Sequence, residues 1–290
     1  GYVSGNVDYH SHMDNSGIPD WWHNLEQVEE EGYVTDLVTD HAIRFIQEQA
    51  DRPFFAYVAH EAPHWPYQGR HDKADRFPGV DFPPRGSRPD YHAAYKEMVE
   101  AMDEGVGRIV ETVRECGIEE NTLIVFCSDN GGEPQVGENG DLRGAKGSLF
   151  EGGHRVPAVA SWKGRIPAGT TTGETVLGMD WLPTLLAISG AGPTADAPPP
   201  DGIDITGLLL NQSPLPDRPT FWRYRGAKAV RLGKHKLVVT GDGEMLFDLQ
   251  NDLGETTNLA EAQPARTAQL RRMLQDWEQD VLAGVELRTT

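Results

Sequence analysis

Cysteine is scarce in this sequence, which contains only Cys116 and Cys127 in 290 residues. These two residues do not form a metal-ligand spacing, and they do not suggest a disulfide framework. Long apolar runs are missing as well, since no stretch approaches the roughly 20 residues that a membrane-spanning helix needs. We therefore expect neither a membrane span nor a cysteine-based metal site, and the sequence leaves the redox compartment open.

Positive charge is in short supply, because 45 Asp and Glu residues face only 26 Lys and Arg residues and the formal net charge is -19. A chain this acidic repels the phosphates of nucleic acids and the surface of anionic membranes, so neither is an expected partner. An anionic substrate would need a local cationic pocket that works against this overall field. The simplest consequence of the charge is solubility.

Helical and strand-like patterns alternate as far as residue 190. Apolar residues recur at helical steps in three segments, and short apolar runs typical of strands lie between them. The helical segments are 31–50, 90–116 and 178–190, and the strand-like segments are 52–60, 121–127 and 156–164. This alternation predicts an α/β fold with a mostly parallel sheet sandwiched by helices.

The pattern changes at residues 191–220, which form proline-rich loops. Beyond them come short strands divided by turns such as "GDG", and a closing helix begins at Pro264. We therefore predict a large α/β domain over residues 1–210. A small antiparallel sheet with a terminal helix is predicted over residues 211–290.

Asp129 and Asn130 directly follow the apolar run "LIVFC". Ligands collect at the carboxyl ends of strands in open α/β sheets. Adjacent carboxylate and carboxamide oxygens suit a hard cation such as Ca²⁺ or Mg²⁺, and the glycines that follow allow a sharp turn. The same residue types are ordinary turn formers, so this stretch alone leaves both interpretations open.

Three cationic or titratable side chains stand in comparable contexts. His64 is held stiffly in "APHWP", where it could act as a general acid or as a hydrogen-bond donor to an anion. His60 has the same chemistry in a less rigid setting. Lys146 lies in the glycine-rich loop 141–157, which allows its ammonium to approach an anionic group. A structural histidine and a solvated loop lysine are the alternatives for these residues.

The order of these segments is more specific than any one of them. "PFFAYVAHEAPHWP", "TLIVFCSDNGG", "LRGAKGSLFEGGHRVPAVASWKGRI" and "LFDLQNDLGETTNLA" follow one another along the chain. This series closely resembles the sulfatases, which are formylglycine-dependent hydrolases of the alkaline-phosphatase-like superfamily, over nearly the whole chain. The resemblance implies an alkaline-phosphatase-like α/β fold and hydrolysis of O-sulfate esters, with carbohydrate sulfates as the favoured class.

The resemblance also implies roles for four residues. Asp129 and Asn130 would be two ligands of a divalent metal, usually Ca²⁺ and alternatively Mg²⁺. Lys146 would contact the sulfate group. His64 would lie against the sulfate and the leaving-group oxygen, where it helps to protonate the departing alcohol. Sulfate ester cleavage develops charge on these oxygens, and a metal, a lysine and an imidazole are groups that stabilise it. His154 would lie near Lys146.

Two elements of the family pattern have no counterpart in this sequence. The C-x-P-x-R or S-x-P-x-R motif that supplies the formylglycine nucleophile is missing, and so is the Asp-Asp pair that completes the metal site. The sequence begins with Gly1 and shows no signal peptide. We therefore expect the C-terminal portion of a longer sulfatase, either truncated or cleaved into two chains. Its missing N-terminal segment is an expected partner, and this chain alone is expected to be inactive.

Two other functions stay open beside a sulfatase. One is a phosphatase, phosphonate hydrolase or phosphodiester hydrolase of the same superfamily, and the other is a non-catalytic binding protein on the same fold. The expected ligand is a sulfated small molecule or glycan, and the family resemblance favours a periplasmic or secreted location. Four residues near the N-terminus could stack on or bond to a sugar, or pack within their own loop: His10, His12, Trp21 and Trp22.

Overall fold

The computed structural model describes residues 1–192 and 196–284. Contacts within the chain divide it into two compact units, Gly1–Thr122 and Leu123–Thr290. The division into residues 1–210 and 211–290 rests on composition and stays a prediction. Across the described residues, no helix combines the length and the apolar character that crossing a bilayer requires.

Two long helices form the centre of the unit Gly1–Thr122. Helix α1 spans Val34–Gln49 and helix α2 spans Tyr91–Glu115, which confirms both helical predictions. The Asp90 carboxylate accepts a hydrogen bond from Ala93 N and caps the start of α2. The helices approach each other closely at Gly105, where an added Cβ would lie 2.4 Å from Thr39 Oγ1. A glycine is therefore needed at this crossing.

The remainder of this unit is mostly irregular. Strands β1, Trp22–His23, and β2, Glu26–Gln27, form a short antiparallel pair. The prediction of a strand at 52–60 is wrong, because this segment pairs with no other segment among the described residues. Its side chains Phe55 and Tyr57 are 73% and 84% exposed. Strands are stabilised by pairing, so an apolar run with no neighbouring strand does not form one here.

The unit Leu123–Thr290 begins with the pair β3, Ile124–Cys127, and β4, Ala158–Ser161, which run antiparallel. Its short helices are α3, Glu151–His154; α4, Trp181–Ser189; and α5, Thr206–Asn211. All strand pairs in the described residues are antiparallel, so the parallel pairs of the predicted large sheet are not among them. The reason is that 52–60, a strand-like segment of that region, stays unpaired.

A four-stranded antiparallel sheet and a terminal helix close the chain, as predicted. The elements are β5, Thr220–Tyr224; β6, Ala227–Leu232; β7, His235–Thr240; β8, Gly243–Asp248; and α6, Pro264–Val281. Alternating strand residues point to opposite faces, and both faces are covered. Leu237 packs with Leu270 of α6 on one face, whereas Val238 packs with Leu149 on the other. This second contact ties the sheet to the glycine-rich loop.

Candidate active site

Asp129 and Asn130 lie at the end of β3, as the sequence predicts. The ladder ends where Ser128 N donates to Pro157 O at 3.1 Å, and Ser128 Oγ then donates to Asn130 O at 2.9 Å. The Asn130 Nδ2 group donates to Asp129 Oδ2, so the two side chains project together. Asp129 is exposed and its carboxylate is open to a ligand.

The backbone of this turn is pressed against the loop that carries Lys146. Gly131 N donates to Gly153 O at 3.0 Å, and Lys146 N donates to Gly132 O at 3.0 Å. A Cβ on Gly131 would lie 1.8 Å from Gly152 O, which is far inside the van der Waals limit. Only glycine allows this approach, and the paired glycines of "SDNGG" and "FEGGH" therefore bring Asp129, Asn130 and Lys146 into one region.

The Lys146 side chain is half-buried. Within residues 1–192 and 196–284 its ammonium makes no ion pair or hydrogen bond. An unpaired ammonium is notable in a chain whose net charge is -19. It is therefore available to bind an anionic group as a point charge.

His64 belongs to the other unit, and its relation to Lys146 stays a prediction. Its Nδ1 lies 2.8 Å from the carbonyl oxygen of Trp65, so Nδ1 carries the proton that is donated there. The ring also packs on Trp65, at 4.9 Å between centroids. These two contacts fix the orientation of the imidazole.

The N-terminal segment holds the backbone around His64. The Tyr9 hydroxyl donates to His64 O at 3.0 Å, and Tyr9 N donates to Gln68 Oε1 at 2.9 Å. Val7 N donates to Glu61 Oε1 at 2.9 Å, three residues before His64. Burial raises the pKa of Tyr9 well above its ordinary value, so the hydroxyl keeps its proton.

Replacing Tyr9 with Phe is expected to destabilise the unit Gly1–Thr122 by about 1 kcal/mol, because the hydrogen bond from the Tyr9 hydroxyl to the His64 carbonyl is lost. Urea denaturation of the variant and the wild type would measure this difference. Tyr57→Phe is the matched control, since Tyr57 is 84% exposed and should tolerate the change. Equal stability of Tyr9→Phe and the wild type would contradict the proposed support of His64.

Burial bears on the alternatives left open for His60. Both ring nitrogens of His60 are buried without a hydrogen-bond partner among the described residues, and burial lowers the pKa of His60. His60 is therefore a neutral imidazole that no contact orients as a proton donor.

Contact with a sugar and packing within the loop were the two alternatives for the N-terminal residues, and the structure favours packing for Trp21 and His12. Trp21 is 2% exposed and its Nε1 donates to Glu30 at 2.8 Å, while His12 packs on Trp21 at 4.8 Å and bonds Gly32 O at 3.0 Å. Burial within their own loop removes both residues from contact with a sugar. The prediction stands untested for His10 and Trp22.

Sequence reasoning missed a buried charged cluster beside the Lys146 loop. Lys236 Nζ lies 2.8 Å from Glu151 Oε1, 2.9 Å from Glu255 Oε1 and 3.0 Å from His154 Nε2. Lys236 is fully buried. Its strand position carried a signal, because it shares a face of β7 with the buried Val238. A lysine on an inward face indicates a buried acidic partner.

The metal-binding role of Asp129 and Asn130 stays a prediction. Asp129 and Asn130 offer the oxygen ligands that Ca²⁺ or Mg²⁺ prefers. In the part of the chain that the structure describes, no group of three His, Cys, Asp or Glu residues could hold a metal ion. Two oxygen donors are fewer than a hard cation requires, which agrees with the expectation that further ligands would come from outside this sequence.

Comparisons with known proteins identify the family. The sequence model of the sulfatase family matches residues 2–191. A sulfatase of Formosa agariphila is 33% identical over 264 residues, which are 81% of this chain and 47% of that protein. Human arylsulfatase A is 32% identical over 275 residues, covering 83% of this chain and 50% of its own length. The canine N-acetylgalactosamine-6-sulfatase is 37% identical over 216 residues, covering 71% and 38%. The chain therefore spans about half the length, or less, of these relatives.

Solved structures extend the likeness to the fold. The crystal structure of Ps i-CgsB in complex with k-i-k-neocarrahexaose matches with a TM-score of 0.82 and 28% identity, covering 96% of this chain and 65% of that one. The structure of BT4656 in complex with D-glucosamine-2-N,6-O-disulfate matches with a TM-score of 0.70 and 19% identity, covering 98% and 76%. These matches confirm the predicted alkaline-phosphatase-like α/β fold class. The family match over residues 2–191 leads to one conclusion: the chain belongs to the sulfatase family.

Proposed function

We propose that this chain contributes part of the active site of an enzyme that hydrolyses O-sulfate esters. The observation that carries the proposal is the unpaired Lys146 ammonium on a loop packed against the Asp129–Asn130 turn. A cation beside two oxygen ligands suits a sulfate group that shares its oxygens between a lysine and a metal. Membership of the sulfatase family and relatives named as sulfatases support the same activity.

Each residue has a separate task in this proposal. Lys146 binds the sulfate oxygens and neutralises their charge. His64, whose ring is oriented by the contact between Nδ1 and the Trp65 carbonyl, donates a proton to the leaving-group oxygen. Asp129 and Asn130 are the two ligands that this chain supplies to Ca²⁺, or alternatively to Mg²⁺. The ion, when bound, supplies positive charge to the sulfate.

The nucleophile is not among the residues of this sequence, which contains no C-x-P-x-R or S-x-P-x-R motif. A formylglycine upstream, the missing N-terminal segment as a partner, inactivity of this chain alone and a periplasmic or secreted location all stay predictions. The residues present bind the sulfate and protonate the product.

A carbohydrate sulfate is the proposed substrate class. Two relatives support it by their names: a canine N-acetylgalactosamine-6-sulfatase that is 37% identical, and the structure of Ps i-CgsB in complex with k-i-k-neocarrahexaose, which is 28% identical. A sulfated glycan is thus preferred over a small aryl sulfate as the partner of this site.

Sulfate release by the whole gene product that contains these residues tests the proposal. We expect release from carbohydrate sulfates, and Lys146→Ala should lower kcat/KM by about 10²- to 10³-fold because one charge-stabilising group is lost. Lys96→Ala is the control, since Lys96 is an exposed helix residue paired with the exposed Glu100. The same assays should include phosphate monoesters and diesters.

Three outcomes would overturn the proposal. Absence of sulfate release from every aryl and carbohydrate sulfate would remove the activity. Faster release of phosphate than of sulfate would favour the phosphatase and phosphodiesterase class instead. Failure of Ca²⁺ to bind, together with unchanged ligand affinity in Lys146→Ala, would favour a non-catalytic binding protein.

A further inference from the structure

Lys236 is a charged residue that the proposed chemistry does not use. Its side chain is 0% exposed, and burial of an ammonium is costly unless its hydrogens are all bonded. Glu151 Oε1 and His154 Nε2 lie within hydrogen-bond distance of the ammonium, at 2.8 and 3.0 Å, and Glu255 Oε1 forms an ion pair with it at 2.9 Å. Two carboxylates and an imidazole thus surround the buried charge of this lysine.

The backbone conformation of Glu255 is a second observation that indicates a specific role for this cluster. Its φ angle of +51° lies in the left-handed region, which is unfavourable for a residue other than glycine. The chain holds this conformation through Arg143 Nη1, which donates to Glu255 O at 2.8 Å. The buried carboxylate accepts a hydrogen bond from Glu151 N at 2.6 Å and forms an ion pair with Lys236 at 2.9 Å. Strain at such a position persists where side-chain contacts offset it.

Glu151 connects this cluster to the proposed sulfate site. It begins helix α3 directly after the loop of Lys146, and both its backbone nitrogen and its side chain are held. The next residue, Gly152, donates to Arg143 O at 2.8 Å and lies against Gly131. Fixing Glu151 therefore fixes the end of residues 144–150, the segment that presents Lys146.

We propose that Lys236 and Glu255 are positioning residues for Lys146. The four-stranded sheet and the turn after it hold Glu151, and Glu151 holds the loop of residues 144–150 at the distance from the Asp129–Asn130 turn that sulfate binding requires. This inference rests on the proposed function of Lys146. It assigns to the C-terminal sheet a part in the sulfate site, although Lys236 and Glu255 do not touch the substrate.

Hydrogen exchange on the full chain tests the positioning. Lys236→Met removes the charge and keeps most of the volume, whereas Lys234→Met removes an exposed lysine just before the same strand, paired with Asp248. We expect the amides of Lys146 and Ser148 to exchange about ten-fold faster in Lys236→Met. Lys234→Met should leave their exchange unchanged. Equal exchange in both variants, or an increase spread evenly over the whole sheet, would overturn the proposal.

Titration with inorganic sulfate tests whether the positioning affects sulfate binding. Binding is measured from the shift of the Gly147 amide resonance. We expect Lys236→Met to raise the dissociation constant for sulfate about ten-fold, since a small displacement of a binding group weakens its contact. Glu255→Gln keeps the size and the acceptor for Glu151 N, so it should bind sulfate almost as the wild type does, while Glu255→Ala should not.

The two proposals fail differently. If the wild type binds no sulfate, the role of Lys146 in the proposed function is wrong. The comparison of amide exchange between Lys236→Met and Lys234→Met still tests whether Lys236 holds the loop. If sulfate binds and Lys236→Met binds it equally well with unchanged loop exchange, the positioning is wrong. If Lys236→Met does not fold, Glu255→Gln and Glu255→Ala are compared instead. Equal amide exchange and equal sulfate affinity in these two variants would overturn the positioning role.

Discussion

Gly131→Ala is expected to lower the free energy of unfolding of the unit Leu123–Thr290 by about 3 kcal/mol, because a well-packed site cannot accept the added methyl group. Its Cβ would lie 1.8 Å from Gly152 O and 2.8 Å from Gly152 C, which are backbone atoms that cannot rotate away. The turn with Asp129 and Asn130 must then separate from the loop with Lys146. Urea denaturation would measure the loss of stability, and sulfate titration would measure the loss of the site.

Gly173→Ala is the matched control for this substitution. Gly173 lies in the same unit, and its added Cβ would meet no atom within 4 Å. We expect its stability to stay within about 0.5 kcal/mol of the wild type, as for most surface changes. A Gly131→Ala variant that unfolds at the same urea concentration as Gly173→Ala would contradict the close packing of the two glycine pairs.

The second large effect is a loss of stability in acid that depends on His154. Burial, and next the Lys236 ammonium, lower the pKa of His154 from 6.5 to about 4. Between these two values the unfolded chain binds a proton that the folded chain does not. Stability is therefore lost as the pH falls from 6.5 towards 4, and the full difference corresponds to about 3 kcal/mol.

Neighbouring groups titrate as well, so the comparison must isolate His154. Lys236 and Arg231 oppose its protonation and Glu151 favours it, while burial raises the pKa of Glu255 and gives that residue the opposite pH dependence. His154→Gln keeps an acceptor for Lys236 and removes the titration. We expect its stability to fall less steeply than that of the wild type when unfolding is measured at pH 7, 6, 5 and 4.

An exposed histidine provides the control. His92→Gln changes a side chain on the surface of helix α2 and should retain the pH dependence of the wild type. The same steep loss of stability in His154→Gln and in the wild type would show that His154 is not the group responsible. Trp222, which stacks on His154 at 4.4 Å, offers a local fluorescence signal for the transition.

The elements with strong local patterns could be predicted from the sequence. Helices α1 and α2 follow from apolar residues at helical steps, and the C-terminal sheet follows from short alternating runs between turn residues. Asp129 and Asn130 could be placed at the end of β3 because the apolar run stops there. In each case the signal lies within a few residues of the feature.

Features that depend on distant residues could not be predicted in this way. The run at 52–60 has the composition of a strand, yet pairing decides whether a strand forms, and pairing is not visible in the run itself. Lys236 and Glu151 meet across 85 positions of sequence. The sequence explains the glycines after Asn130 by a sharp turn, whereas the larger effect of Gly131 is to admit the backbone of Gly152 and Gly153.

The two covered faces of the C-terminal sheet restrict the register in which strand β7 can pair. Lys236 lies on the face of Val238 and Leu149, whereas Leu237 lies on the face of α6. A slip by one residue would turn every side chain of the strand over and carry the Lys236 ammonium into the apolar layer beneath α6. The layer beneath α6 is built from apolar side chains such as Leu237, Leu246 and Leu270, and burying a charge away from its partners is strongly destabilising. Lys236 therefore favours the native register of β7, in which its ammonium meets Glu151 and Glu255.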